Sequence, residues 1–203
     1  MESNFTHEQS LTLINEMISR ARNNVSMGGA YSLIYWGYMT AVLAIANSIL
    51  WHILDNNGKS HYVWFAMIPA MAAGYFIERK SLREKVVKTH IDRIGGIVWA
   101  GFFISVIVFS IVIHVIAYTT GWWDILALNI PIIITMFGMG QFATASVFRY
   151  KLWYAFAAFS WAGAIVCAFS RIDVQLIVFA VCMMVGLAVP GHLLNRQAKN
   201  NHV

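Results

Sequence analysis

Residues 79–93 read RKSLREKVVKTHIDR, and the fold turns on how this stretch is understood. Six of the chain's 14 Lys and Arg residues sit in it: Arg79, Lys80, Arg83, Lys85, Lys88 and Arg93. Apolar runs long enough to cross a bilayer flank it on both sides. A segment this basic resists translocation, so it is expected to stay in the cytoplasm and to fix the orientation of the helices beside it. Its natural counterpart is the anionic headgroup layer of the inner leaflet.

Composition agrees. The chain has 203 residues, of which 59% are hydrophobic and 11% charged. Ordinary globular domains run at roughly 45–50% and about 25%. So little charge cannot coat a water-facing surface, and the solvent for most of this chain is lipid. The net charge of +5 does not point to nucleic acid, because the cations lie between apolar runs and not along one face of a domain. The first 25 residues carry no basic start followed by an apolar core, so no signal peptide is expected. Cys167 and Cys182 fall inside apolar runs, where buried thiols acting as small hydrophobes are the default and a disulfide framework is not expected.

Taken in order, residues 1–26 read as an amphipathic helix lying on the membrane. Thr6-His7-Glu8-Gln9 matches a capping box. Leu11, Ile14, Met17, Ile18, Ala21 and Val25 then recur at helical spacing. Such a helix serves either as an anchor on the inner leaflet or as a docking helix for a cytosolic partner. Gly28-Gly29 is expected to end or bend it before the first crossing. Residues 27–195 hold six apolar runs, each expected to be a membrane-spanning helix, at about 27–54, 62–77, 94–118, 125–148, 152–170 and 174–195. Residues 196–203 form a cytoplasmic tail. The expected fold is therefore all-α: a six-helix transmembrane bundle of three antiparallel hairpins, with both ends cytoplasmic.

Charge counting supports that arrangement. With the N-terminus inside, twelve Lys and Arg fall on cytoplasmic segments, and only Lys59 and Arg171 fall outside. That is a strong positive-inside bias. Trp51, Trp64, Trp122 and Trp123 sit at the expected outer boundary, and Trp36, Trp99 and Trp153 at the inner one. Short connections make sequential helices antiparallel neighbours. A repeat with a period near sixty residues is also visible. Each hairpin opens with Trp36, Trp99 or Trp153, and each second arm carries Pro69, Pro131 or Pro190. Each second arm also carries a glycine: Gly74, Gly140 or Gly191. Duplication of a hairpin and coincidence among apolar helices both account for it.

Three constellations are candidates for chemistry. Met67 and Met71, Met136 and Met139, and Cys182 with Met183 supply soft sulfur ligands of the kind that select Cu(I), although methionine is also a common filler of irregular cores. His52, His61 and His114 gather near the expected outer face with Asp55 and Asp124, where imidazole and carboxylate could hold zinc or copper. Their spacing matches no metal motif. A scatter of polar residues in the spans, including Asn47, Thr135, Gln141, Ser160 and Gln175, reads as a solute path or as hydrogen bonds between helices. Pro131 and Pro190, with nearby glycines, mark helices that are either broken to build a transport site or merely kinked. No Asp, Glu, Lys or Arg stands near the bilayer centre, where coupled transporters usually keep one. His-Glu-x-x-His, Gly-x-Ser-x-Gly and Walker motifs are missing from the sequence, and no cofactor motif is present.

The stretch Glu8-Gln9-Ser10-Leu11-Thr12-Leu13-Ile14-Asn15-Glu16-Met17-Ile18, followed by Leu33-Ile34-Tyr35-Trp36-Gly37, resembles small inner-membrane proteins of Gram-negative bacteria with no assigned function. Members of that group are often encoded beside a winged-helix regulator, which implies a sensory or regulatory setting but assigns no site residue. The resulting expectation is a non-enzymatic sensor, regulator or scaffold of the bacterial inner membrane. Its partners would be anionic lipid, a cytosolic protein and, as an open alternative, a second copy of itself. The other reading is a small permease or channel for a neutral solute or a soft metal ion such as copper.

Overall fold

A computed structural model describes the backbone of residues 7–54, 58–84 and 90–200. Side chains are described for Thr12, 30–54, 58–77, Arg79 and 93–197. The elements are α1 (His7–Ile53), a 3-10 segment (Gly58–Ala66), α2 (Met67–Glu84) and α3 (His90–Thr120). A second 3-10 segment (Trp123–Leu128) leads into α4 (Asn129–Phe148), followed by α5 (Leu152–Ala168) and α6 (Ile172–Met183). A π-turn (Met184–Ala188) joins α6 to α7 (Val189–Asn200). Among the described residues there is no strand. Four stretches are long and apolar enough to cross a membrane: Ala30–Ile53, Arg93–Thr120, Trp123–Phe148 and Ile172–Gln197. Leu152–Ala168 is a shorter apolar helix.

Two local expectations change. Gly28-Gly29 does not end the first helix, since α1 runs without a break from His7 to Ile53. A glycine weakens a helix interior by about 1 kcal/mol relative to alanine but removes no ladder hydrogen bond, so a long helix can absorb the pair. The run at 62–77 is not one α-helix either. Its first part is 3-10 and the α-helix begins at Met67, two residues before Pro69. Proline lacks an N–H and fits the first turn, where that N–H would have no partner in any case. Pro131 occupies the same third position of α4, again after a 3-10 segment, so it does not break that helix.

Specific side-chain contacts join the helices. Tyr35 donates to Ala70 O at 2.8 Å, and Trp36 lies on Gly74. Ser110 donates to Asn129 Oδ1 at 3.3 Å, and Trp99 lies over Gly140. Ser146 and Tyr154 hydroxyls are 3.1 Å apart, while Ser160 meets Gln141 farther along α4 and α5. Ser48 donates to Asp173 O at 3.1 Å, and Gly37 abuts Ala188. The tight turn from α4 to α5 places Arg149 in the left-handed region at φ 54°, with its N–H on Ala145 O. The tryptophan and glycine of the sequence repeat lie together at Trp36/Gly74 and Trp99/Gly140. Gly191 instead packs on Ala30 and Ile34 of α1, and Trp153 joins a cluster with Ala145 and Phe156.

The core draws on α1, α4, α5 and α6. Ala41, Ala44, Ile134, Phe137, Cys167, Phe179, Cys182, Met183 and Leu187 interlock there. At its centre stands the π-turn, for which the sequence supplies a reason. In an α-helix the Gly186 carbonyl would accept from residue 190, which is proline and has no N–H. Gln141 Nε2 donates to that carbonyl instead, at 2.9 Å. Gln141 Oε1 in turn accepts from Ser160 Oγ at 2.7 Å. Gln141 and Ser160 are fully buried. A membrane helix tolerates proline when a neighbour and a local π adjustment satisfy the freed backbone group, and both occur here. Residue 186 is glycine because a Cβ there would collide with Gln141 Nε2 and come within 2.7 Å of Phe137 Cε1.

Replacing Gln141 by Leu should lower stability by about 1–2 kcal/mol, the upper range for hydrogen bonds between membrane helices, because it strands Gly186 O and leaves the Ser160 hydroxyl to Phe156 O, 3.1 Å away. In a Pro190→Ala background, where residue 190 regains an N–H, the same change should cost roughly half as much. Reversible unfolding of the four proteins in mixed micelles checks the cycle. Equal costs in the two backgrounds would break the proposed link between the proline and the amide.

Candidate functional site

Polar groups collect at the end of the bundle that carries His52, His61 and His114. The organiser is Asn47, which is 0% exposed and sits two turns before the end of α1. An amide orientation with Nδ2 toward His61 Nδ1 at 2.8 Å would also point Nδ2 at the indole N–H of Trp64, donor against donor. The opposite orientation pairs every group. Asn47 Oδ1 then accepts from His61 Nδ1 and from Trp64 Nε1, both at 2.8 Å. Nδ2 donates to Ser60 Oγ at 3.0 Å and to Ser60 O at 3.1 Å. One buried side chain therefore pins the whole 3-10 segment to α1, and its removal would leave several buried donors and acceptors without partners.

This orientation also sets the tautomer of His61. With Nδ1–H given to Asn47, the lone pair is on Nε2, free to accept a proton or a cation. The ring tilts against Trp51 with centroids 5.7 Å apart. Burial first, and the nearby His114 second, pull the His61 imidazole below its ordinary value of 6.5. His114 has a parallel arrangement: its Nδ1 lies 2.7 Å from Ser110 O, which fixes Nδ1 as the donor and leaves Nε2 as the acceptor. His52 takes another partner, with Nε2 3.3 Å from Asp173 Oδ2, an ion pair when the ring is protonated. Asp173 Oδ1 makes no hydrogen bond and lies 3.7 Å from Arg171 Nε. Gln175 donates to Cys167 O at 3.0 Å and to Ser170 O at 3.1 Å, while its buried Oε1 has no donor within reach among the described residues.

The expected metal ligands are thus spread over separate contacts. Among the described residues no group of three or more His, Cys, Asp or Glu side chains converges as a metal-binding set. Asp55 lies outside the described residues. Met71 and Met139 are exposed at 57% and 64%, on the outer surface of their helices. Met67 and Met136 are half-buried, whereas Cys182 and Met183 are core residues. Both cysteines are free and buried. At the opposite end, Tyr38 Oη meets His192 Nε2 at 3.1 Å, and Gln197 donates to Tyr150 Oη at 2.6 Å. Arg79 and Arg93 are exposed there. The side chains of Lys80, Arg83, Lys85 and Lys88, and those of the expected amphipathic face apart from Thr12, lie outside the described residues.

In the sequence Asn47 is one of several polar residues in the spans, and nothing there links it to Ser60 or Trp64. An asparagine in an apolar run, nearly two helical turns from the end and followed by a short loop rich in donors, is the signal that marks such a hub. Comparison with protein-family models, with curated proteins and with solved structures finds no match.

The lowered His61 value has a signed consequence. Between the folded value and 6.5 the unfolded chain binds the proton that the folded chain refuses, so stability falls as pH drops below about 6.5 and is full above it. A His61→Gln variant should lose part of that acid sensitivity. Thermal unfolding in detergent from pH 7.5 to 5 checks this, and identical slopes in the two proteins would show that His61 has no share in it.

Proposed function

We propose that the protein is a multi-pass inner-membrane protein of bacteria whose chain crosses six times, as three antiparallel hairpins, with both ends in the cytoplasm. Four crossings are the long apolar stretches. The fifth is α5, whose 17 residues extend about 26 Å and whose tight turns tie it at one end to α4 and at the other to α6. The remaining one runs from Tyr62, in the 3-10 segment just past His61 and the Asn47 hub, through α2 to about Ile77. The excess of Lys and Arg on the arm, the basic segment, the turn at Arg149 and the tail supports the cytoplasmic assignment of these parts.

Within that frame the proposed role is non-enzymatic: a sensor, regulator or scaffold that acts through its cytoplasmic face. The observation that carries this reading is the filled centre. Where transporters hold solute beside broken helices, Gln141, Ser160, Phe137 and Cys182 occupy the space beside the π-turn and are buried. Residues with free chemistry lie at the two ends. The long α1, which carries the amphipathic sequence straight into the first crossing, would couple a cytosolic contact to the bundle.

Deletion of residues 1–25 should leave membrane insertion unchanged and abolish co-purification of a cross-linked cytosolic partner. Proteoliposomes of the full chain should show no uptake of neutral solutes or Cu(I) above protein-free vesicles. Saturable uptake, with partner recovery unaffected by the deletion, would replace this reading by the permease.

A further inference from the structure

Asp173 is a carboxylate short of partners. It sits in the first turn of α6, where a helix favours negative charge. Ser48 Oγ of α1 donates to its backbone carbonyl at 3.1 Å, which fixes the residue against that helix. The side chain is only 16% exposed, yet Oδ1 is buried and makes no hydrogen bond. The exposed guanidinium of Arg171 stays 3.7 Å from it. Across the interface between the helices, Oδ2 meets His52 Nε2 at 3.3 Å, one turn beyond Ser48 on α1. A largely buried carboxylate is costly unless a countercharge and hydrogen bonds compensate it. A lysine or arginine facing it would supply that charge at all times, whereas an imidazole supplies it only when protonated. His52 is 59% exposed, so protons of the medium reach it.

We infer that His52 and Asp173 form a proton-operated clasp, in which uptake of a proton by His52 fastens the end of α1 to the start of α6. A neutral ring at this distance offers only a long hydrogen bond, and a protonated one adds a full charge beside the carboxylate. The neighbouring groups are committed elsewhere or stand on other elements. Arg171 lies on the Oδ1 side of Asp173. His61, on the first 3-10 segment, lies against Trp51 and gives Nδ1–H to Asn47. Lys59 of that segment, His114 of α3 and Asp124 of the second 3-10 segment are the other charged or imidazole groups described toward this end, and Asp55 lies outside the described residues. His61 responds with the opposite sign, because burial disfavours its protonation. Acid therefore strengthens the joint between α1 and α6 while it weakens the joint between α1 and the 3-10 segment. In the proposed topology this end faces away from the cytoplasm, and α1 runs unbroken from His52 back to His7. The inference deepens the sensor reading, on which its link to the cytoplasmic face rests: the stimulus is acidity outside the cell.

The test is a double-substitution cycle of His52→Gln and Asp173→Asn in the full chain, read by thermal unfolding in detergent micelles at pH 7.5 and 5.5. The cycle cancels what each site does alone, the titration of His61 included. At pH 7.5 the two losses in Tm should come close to adding. At pH 5.5 the double variant should lose roughly 1–3 °C less than their sum, the scale expected of one partly exposed ion pair in a chain of this size. In cycles that start from His52→Lys, whose charge persists across this range, the coupling to Asp173 should be present at both pH values. Coupling of equal size at both pH values in the wild type, none at pH 5.5, or coupling that fades at pH 7.5 even in the His52→Lys protein would each overturn the clasp. The purified chain is measured without a partner, so such a failure would leave the sensor reading to its own test, and loss of that reading would leave the clasp standing.

Discussion

A polar group inside a lipid-embedded bundle has no water to turn to, and this chain is built around that constraint. The clearest case is the amide of Gln141. Pro190 removes the donor that would have served Gly186, the helix loosens into a π-turn, and Gln141 reaches across from α4 to occupy the freed carbonyl. Ser160 completes the arrangement from α5. Three helices are joined by two hydrogen bonds, and the glycine at 186 exists to let the amide approach. Each bond is worth on the order of 0.6 kcal/mol on average, yet the alternative is a stranded carbonyl in an apolar interior, which costs considerably more.

The same logic operates at the histidine end through Asn47. There the element to be held is a 3-10 segment, whose hydrogen bonding is poorer than that of an α-helix. Four hydrogen bonds from one buried amide compensate, and the tautomer of His61 follows from them. Structure and chemistry are coupled at this point: the contact that fixes the segment also leaves Nε2 as a basic atom near the end of the bundle. The centre is filled by Gln141, Ser160, Phe137 and Cys182, while His61 and His114 stand at one end and the exposed Arg79 and Arg93 at the other.

Much of this architecture can be read before any coordinates are seen. The all-helical class and the four long apolar stretches follow from partition energies, which act residue by residue and do not depend on partners. The prolines were legible as features but not as outcomes. Pro69 and Pro131 look like interruptions in a run, and only the start of each α-helix reveals them as first-turn residues. Pro190 looks similar and does open its helix, because it stands well inside a continuous one. Asn47, Gln141 and Ser160 each appear in the sequence as one more polar residue in an apolar stretch. Their importance depends on which residues lie opposite, and that is a property of long-range packing. Gly28-Gly29 misleads for the opposite reason: local propensity suggests a stop, and a helix of 47 residues overrides it.

The proposed bundle is surrounded by lipid, with its cationic segments on the cytoplasmic side. Single cysteines in a background lacking Cys167 and Cys182 measure this directly, using a membrane-impermeant maleimide on intact cells. Ser81→Cys, in the basic segment, should remain unlabelled until the cells are lysed, whereas Thr119→Cys, at the far end of α3, should react at once. Labelling of Ser81→Cys in intact cells, or protection of Thr119→Cys, would contradict it.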